Sequence, residues 1–303
     1  SILWSIKTTP EIPPTANEMI ALGEKNKGMP HPLIQFFLSI LTTVIMYIAI
    51  LLLIIPSIFY HGLLKKVLNY AEQHSTLKIL FAQNIEIIDA ILNMPKVMWQ
   101  LALVYLFQWY ALFCYWQNSS KSVALSVWKT TPQLNTGLYE KAVGWTGLVN
   151  AWYNVVTFLC AFGLVWFAKK YSPKMVHFGC LILAGAGFLA FPHIENKYFL
   201  FPAITGFGIG WASMMGIPYL LVVSNIPKER YGVYMGIINM MIVIPMFIQT
   251  TTFGYILKHF LNNDPRNAIT FAGLFLLIAA AATLFIKATK PGDDIMIPVG
   301  SGH

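Results

Sequence analysis

Six stretches of about twenty apolar residues, joined by mostly short loops, decide what this chain can fold into. They run over residues 96–118, 146–168, 175–192, 198–224, 231–257 and 268–287. At that length each crosses a hydrocarbon layer as a helix, the one open-ended way to satisfy every backbone N–H and C=O in lipid. The connections are polar: KKYSPK, HIENK, PKER and NNDPRN follow the second to fifth runs, and KATK follows the sixth. Only 119–145 is long, long enough for a short amphipathic helix outside the bilayer. Charged residues make up 11% of the 303-residue chain and hydrophobic ones 57%, where a soluble domain carries about 25% charged residues. The mean hydropathy of +0.62 agrees. The expected fold class is therefore all-α: a polytopic membrane protein resident in a cytoplasmic (inner) or plasma membrane.

The net charge of +8 does not point to nucleic acid, because there is no basic stripe and no soluble domain to carry one. The cations follow topology instead. Lys169, Lys170 and Lys174 share a side with Lys228, Arg230, Lys287 and Lys290. That side has the denser positive charge in its short loops, which places it, with the 291–303 tail, in the cytoplasm. Cys114, Cys160 and Cys180 all lie inside apolar runs and read as small packing residues. Upstream, residues 7–32 are rich in Pro, Glu and Lys and read as a solvated linker. Residues 33–60 are apolar enough to span, and 76–94 has the spacing of an amphipathic helix. Two poses stay open: 33–60 crosses while the amphipathic stretch also dips into the membrane, or 33–60 lies re-entrant or at the interface.

Polar residues are spread unevenly over the six runs. The third holds almost nothing polar beyond His177, and the sixth is nearly all apolar. The first, second, fourth and fifth carry amides, hydroxyls and indoles. Polar groups at bilayer depth normally face protein or a wet cavity, so these four are expected to line a shared space and the other two to face lipid. Two triplets, each with one outer member, suggest an internal repeat of three helices. Spacing sharpens the picture. Tyr105, Gln108, Trp109 and Trp116 share one helical stripe, and Asn150 and Asn154 another. Trp211 and Asn239 join them from the fourth and fifth runs. Rings that stack on a flat sugar face, beside amides that pair with hydroxyls, make a site for a neutral polyol. Alone, each amide is as well explained as interhelical glue.

The fourth run, GFGIGWASMMGIPYLLVVSN, is crowded with glycine. Gly206 and Gly210 form a GxxxG pair, as do Gly232 and Gly236, which lets helices approach closely. Gly208, Gly216 and Pro218 would let this helix flex as a gate. All twelve acids lie outside the six runs. There is no HExxH, GxSxG or Walker loop, and the histidines are scattered. No enzymatic activity, cofactor or metal site is expected.

The stretches MPKVMWQLALVYLFQWYALFCYW (94–116), GIGWASMMGIPYLLVVSNIPKERYGVYMGIINMMIVIP (208–245) and SIKTTPEIPP (5–14) resemble the major facilitator superfamily. More narrowly, they are similar to the sucrose and maltose type of proton symporter, near the glycoside-pentoside-hexuronide:cation group. The resemblance covers residues 1–15 and 94–290. It implies that 96–290 is the carboxyl-terminal six-helix bundle of a twelve-helix transporter, whose amino-terminal half is a separate part. Residues 1–32 would hold the end of the preceding span and a linker, and 33–95 a central linker with an extra apolar helix and an amphipathic one. It further implies alternating access, with a sugar, a di- or oligosaccharide, and a coupling cation, a proton, as partners. The coupling acids commonly lie in the amino-terminal half, and KERYG (228–232) would help hold a closed gate. Two departures stand out: Met246 occupies a position where the family usually has Gln, and Gln108 one where a small residue is common. The alternative is a non-transporting sensor, or a partner subunit of a membrane complex, that keeps the fold.

Overall fold

The computed structural model describes residues 82–287, apart from 224 and 227–229, and single positions between 34 and 74 upstream. The linker before residue 33, nearly all of segment 33–60, Lys228 and Glu229 of the KERYG turn and the 291–303 tail lie outside the described residues. Two compact units divide the chain at Leu92. In the first, α1 covers Ala82–Leu92, inside the stretch expected to form an amphipathic helix. In the second, six long helices follow: α2 (Lys96–Val127), α3 (Thr136–Lys170), α4 (Pro173–Ala190), α5 (Leu200–Val223), α6 (Tyr231–His259) and α7 (Pro265–Thr283). Single 3-10 turns at Phe191–His193 and Lys197–Phe199 link α4 to α5. No strand occurs among the described residues. All six helices are long and apolar enough to cross a membrane, and this is an integral membrane protein.

The long connection expected at 119–145 is much shorter. Instead, α2 runs on to Val127 and α3 begins at Thr136. At 32 and 35 residues they are about 48 and 52 Å long at 1.5 Å per residue, well beyond the hydrocarbon layer. Hydropathy marks only the part of a helix that suits lipid; the helix itself continues until something stops it. Here the stop is a turn with Lys129 at φ 49° and Pro132, closed by Asn135, whose side chain accepts the Leu138 N–H. The longer α3 takes in Glu140, an acid expected outside the spans, as an exposed residue of its first turns. Asp264 caps α7 in the same way by accepting the Arg266 N–H at 2.8 Å.

The closest pairings within the unit are α2 with α7, α4 with α5, α4 with α7, α3 with α5, and α2 with α6. Thus α4 and α7 are each well packed within the unit. Half of the most apolar stretch of each is buried, against 61% for α2, 18% for α3 and 28% for α6. What sets α4 and α7 apart is their lack of polar groups, not their exposure. Between them Gly185 and Gly273 face each other, with no room for a Cβ on either.

The glycines of α5 divide between two neighbours. A methyl on Gly206 would collide with the Leu183 carbonyl of α4, and one on Gly210 would come within 2.6 Å of Ala184. A methyl on Gly208 would come within 2.8 Å of Tyr153 O and Val156 of α3. Gly208 therefore holds a contact, which corrects the expectation that it lends the helix gate-like flexibility. Thr157 seals this contact by donating to both Gly208 O and Tyr153 O, at 2.9 and 2.8 Å. Gly216, Gly232 and Gly236 have open space where a Cβ would stand. The GxxxG at 232–236 thus makes no close approach among the described residues.

Replacing Gly206 or Gly208 by Leu is expected to destabilise the bundle by at least about 1–3 kcal/mol through overpacking. Gly236→Ala is expected to leave stability unchanged or slightly raised. Thermal unfolding of the purified protein in detergent checks both.

Candidate functional site

Two classes of polar side chain occupy the bundle. Those of the first class fasten helices together. Tyr115 of α2 donates to Asn150 Oδ1 of α3 at 2.7 Å, while its ring stacks on Phe188 of α4. Tyr110 pairs with Thr252 of α6 at 2.9 Å, and Gln249 of α6 donates to Gln117 Oε1 of α2 at 3.0 Å. Trp152 donates to Thr205 of α5 at 2.9 Å. Each satisfies a group that lipid would leave bare.

The second class is buried and unbonded. Along α2, the Tyr105 hydroxyl, both amide atoms of Gln108 and the Trp109 indole N–H have no hydrogen-bond partner among the described residues. Tyr105 and Gln108 are fully buried and Trp109 nearly so. The three residues fill just over one turn. An unbonded buried polar group costs about 1–3 kcal/mol, and native structures hold few of them. Such a concentration on one turn calls for an explanation.

Aromatic rings adjoin it. Trp109 stands edge-on to Tyr105 at 6.3 Å between centroids and to Trp211 of α5 at 5.8 Å. Trp116 meets the same Trp211 at 5.6 Å. Trp116 is 37% exposed and Trp211 half-buried, so the ring row runs from the packed interior to an open face. Trp116 is the most exposed of the three indoles, and indole faces stack on flat apolar surfaces. The rings meet here because the glycine-side contacts of α5 bring that helix close to α3 and α4 and turn Trp211 towards α2.

Of the residues picked out by pattern, Tyr105, Gln108, Trp109, Trp116 and Trp211 thus share the α2–α5 region. Asn150 is half-buried and already committed to Tyr115. Asn154 is exposed on α3 and donates to Asn150 O in its own helix at 2.8 Å. Asn239 is exposed on α6. Pattern reading passed over the Gln249–Gln117 pair and the buried contact of His177 with Ser213. Their sequence signal was one polar residue on each of two helices, a pairing that spacing along one chain cannot register. A separate polar recess of about 310 Å³, lined in part by Asn118, Lys121, Tyr139 and Asn263, lies where α2 turns into α3 and α6 into α7. Among the described residues, no group of acids, histidines and cysteines is placed to hold a metal ion.

A family model described as Major Facilitator Superfamily matches residues 32–250, well over half of the chain. The chain belongs to the major facilitator superfamily. It is a membrane transporter in the general sense of that family. The match takes in the whole of the apolar segment 33–60, which the motif resemblance leaves out as an addition. No curated protein and no solved structure matches the chain.

Gln108→Leu is expected to raise the thermal stability of the protein without substrate by about 1–3 kcal/mol, since it removes two buried polar atoms that have no partner in the bundle. Asn150→Leu is expected to lower it by a similar amount, because it strands the Tyr115 hydroxyl. Unfolding midpoints of the two variants, measured side by side in detergent, check the opposite signs.

Proposed function

We propose that this chain is the carboxyl-terminal half of a secondary active transporter that imports a neutral polyol, a di- or oligosaccharide, by symport with a proton. The two halves rock about a site near the bilayer midplane, as in other carriers built from repeated bundles. The observation that carries the reading is the run of orphaned polar atoms at Tyr105, Gln108 and Trp109, beside the open-ended ring row of Trp109, Trp211 and Trp116. A sugar offers what both lack: hydroxyls that donate and accept, and an apolar ring face that stacks. No cationic side chain stands in this region of α2 or α5, which favours a neutral solute over a phosphate or carboxylate. In this reading Asn154 and Asn239, exposed on α3 and α6, face the amino-terminal half and complete the site across the cleft. Asn150 then acts through Tyr115, as a positioning residue. The bundle end that carries Lys170, Lys174 and Lys287 faces the cytoplasm.

Uptake of labelled disaccharides into vesicles holding the full-length protein tests this. Accumulation is expected with an inward proton gradient and only equilibration without one. Equal uptake in both conditions would refute symport, and no uptake would refute the substrate class. Trp109→Ala and Gln108→Leu are each expected to lower uptake by about tenfold or more, the scale of one or two lost contacts, with the protein still in the membrane. Unchanged kinetics in both would remove the site.

A further inference from the structure

His177 plays no part in the site above. It sits in the second turn of α4 and is fully buried. Its Nδ1 lies 2.7 Å from the hydroxyl of Ser213 on α5, itself fully buried. Its Nε2 is enclosed and has no hydrogen-bond partner among the described residues. One turn along α4, the Cys180 thiol lies near Ser213. A residue needed only for packing would be better as leucine, because a buried imidazole nitrogen without a partner is destabilising.

We infer that His177 is a proton-binding site in this half of the carrier, and that its proton occupancy sets how tightly α4 closes on α5. In the neutral ring, Nδ1–H donates to Ser213 Oγ and the Nε2 lone pair is left free, or the tautomer is reversed and a buried Nε2–H goes unmatched. Uptake of a proton from hydronium breaks one O–H bond there, releases water and forms one N–H bond on the ring, at Nε2 in the first tautomer and at Nδ1 in the second. Both ring nitrogens are then donors. Nδ1–H holds Ser213, whose own hydroxyl proton turns to the Cys180 sulfur. Nε2–H now carries a charge that the closed seam leaves unsolvated. The seam has no slack for water, since a Cβ on Gly210 would come within 2.6 Å of Ala184 and 3.2 Å of Cys180 O. The protonated ring therefore favours a separated seam and the neutral ring a closed one. That difference between two conformations is what lets a bound species shift their populations.

Little else near the seam titrates in the same range. The helices α4, α5 and α7 contain no carboxylate. On α4 the other ionisable groups are Cys180 and Lys174, and the latter bonds the Leu284 and Ile286 carbonyls. Those of α5 and α7 are Tyr219 and Arg266, and Arg266 sits on Asp264 at the first turn of α7. From α2 come Tyr105 and, on another face, Cys114. Towards the same end, α3 contributes Cys160 and Lys170.

The test uses full-length protein in lipid nanodiscs and its tryptophan fluorescence. Trp211 lies two residues from Ser213 and reports on the seam. A titration from about pH 8 to about pH 4, through the ordinary histidine range, is expected to show a transition. His177→Gln should abolish it, and His193→Gln should keep it. Ser213→Ala, which removes the Nδ1 partner, should shift its midpoint. A wild type without a transition, a transition retained in His177→Gln, or an unmoved midpoint in Ser213→Ala would each overturn the proposal. A second arm rests on the carrier reading. There, His177→Gln is expected to keep disaccharide exchange across the membrane but to lose gradient-driven accumulation by about tenfold, within the usual range of coupling between sites. Accumulation equal to wild type would overturn the proposal. If no disaccharide crosses at all, the carrier reading falls and the fluorescence arm still decides the proton site.

Discussion

Backbone-to-backbone contact along one side of α5 is the constraint on which the rest of this bundle depends. Lipid tails are as apolar as leucine, so helices in a membrane gain little by hiding apolar side chains from them. What holds them is close packing and the hydrogen bonds that close packing permits. Gly206 and Gly210 give α5 that closeness to α4, and Gly208 gives it to α3. Thr157 adds a hydrogen bond to a backbone carbonyl that a larger residue at 208 would keep out of reach. Everything further along α5 inherits its position from these contacts. Trp211 meets two indoles of α2 and Ser213 meets His177 of α4 only because the helix axis is fixed one turn earlier.

Polar groups then divide according to whether the bundle uses them up. Tyr115, Asn150, Tyr110, Thr252, Gln117 and the amide nitrogen of Gln249 are spent on holding helices together. Tyr105, Gln108 and Trp109 are not. Both sets contain amides, aromatic hydroxyls or indoles, and both lie on apolar helices. The difference lies only in whether a second helix offers a partner at the right height. This is why a buried polar group in a membrane bundle carries functional information chiefly when it is left over.

That division also sets how much could be read from the sequence. The six helices, their order and the stripe on α2 follow from local periodicity and length, which a single chain displays. The role of Gly206 and Gly210 was legible too, because a pair of small residues four apart lies on one helix face. Gly232 and Gly236 show the same spacing and yet stand over open space, so spacing identifies an ability to pack and not a partner. The helix ends at Val127 and Thr136 were missed because hydropathy falls before the backbone ladder does. Asn150 and Asn154 read alike in sequence and differ in structure for one reason: Tyr115 stands opposite the first. The burial of α4 and α7 was hidden because a lipid-facing helix and a helix packed on apolar neighbours call for the same residues.

One end of the bundle is tied in a way that bears on how such a unit can move. The Lys174 ammonium at the start of α4 holds the last carbonyls beyond α7, at Leu284 and Ile286. The next backbone N–H, of Lys287, donates to Gln100 in the first turns of α2. Three helices are thereby knotted at a common corner, and two of them also touch through Gly185 and Gly273. A corner of this kind resists sliding and twisting among its members, so α2, α4 and α7 behave as a fixed frame. The helix α3 has no hand in that corner; it is clasped to α5 through Trp152 and Thr157 and reaches the frame through the bond of Asn150 with Tyr115.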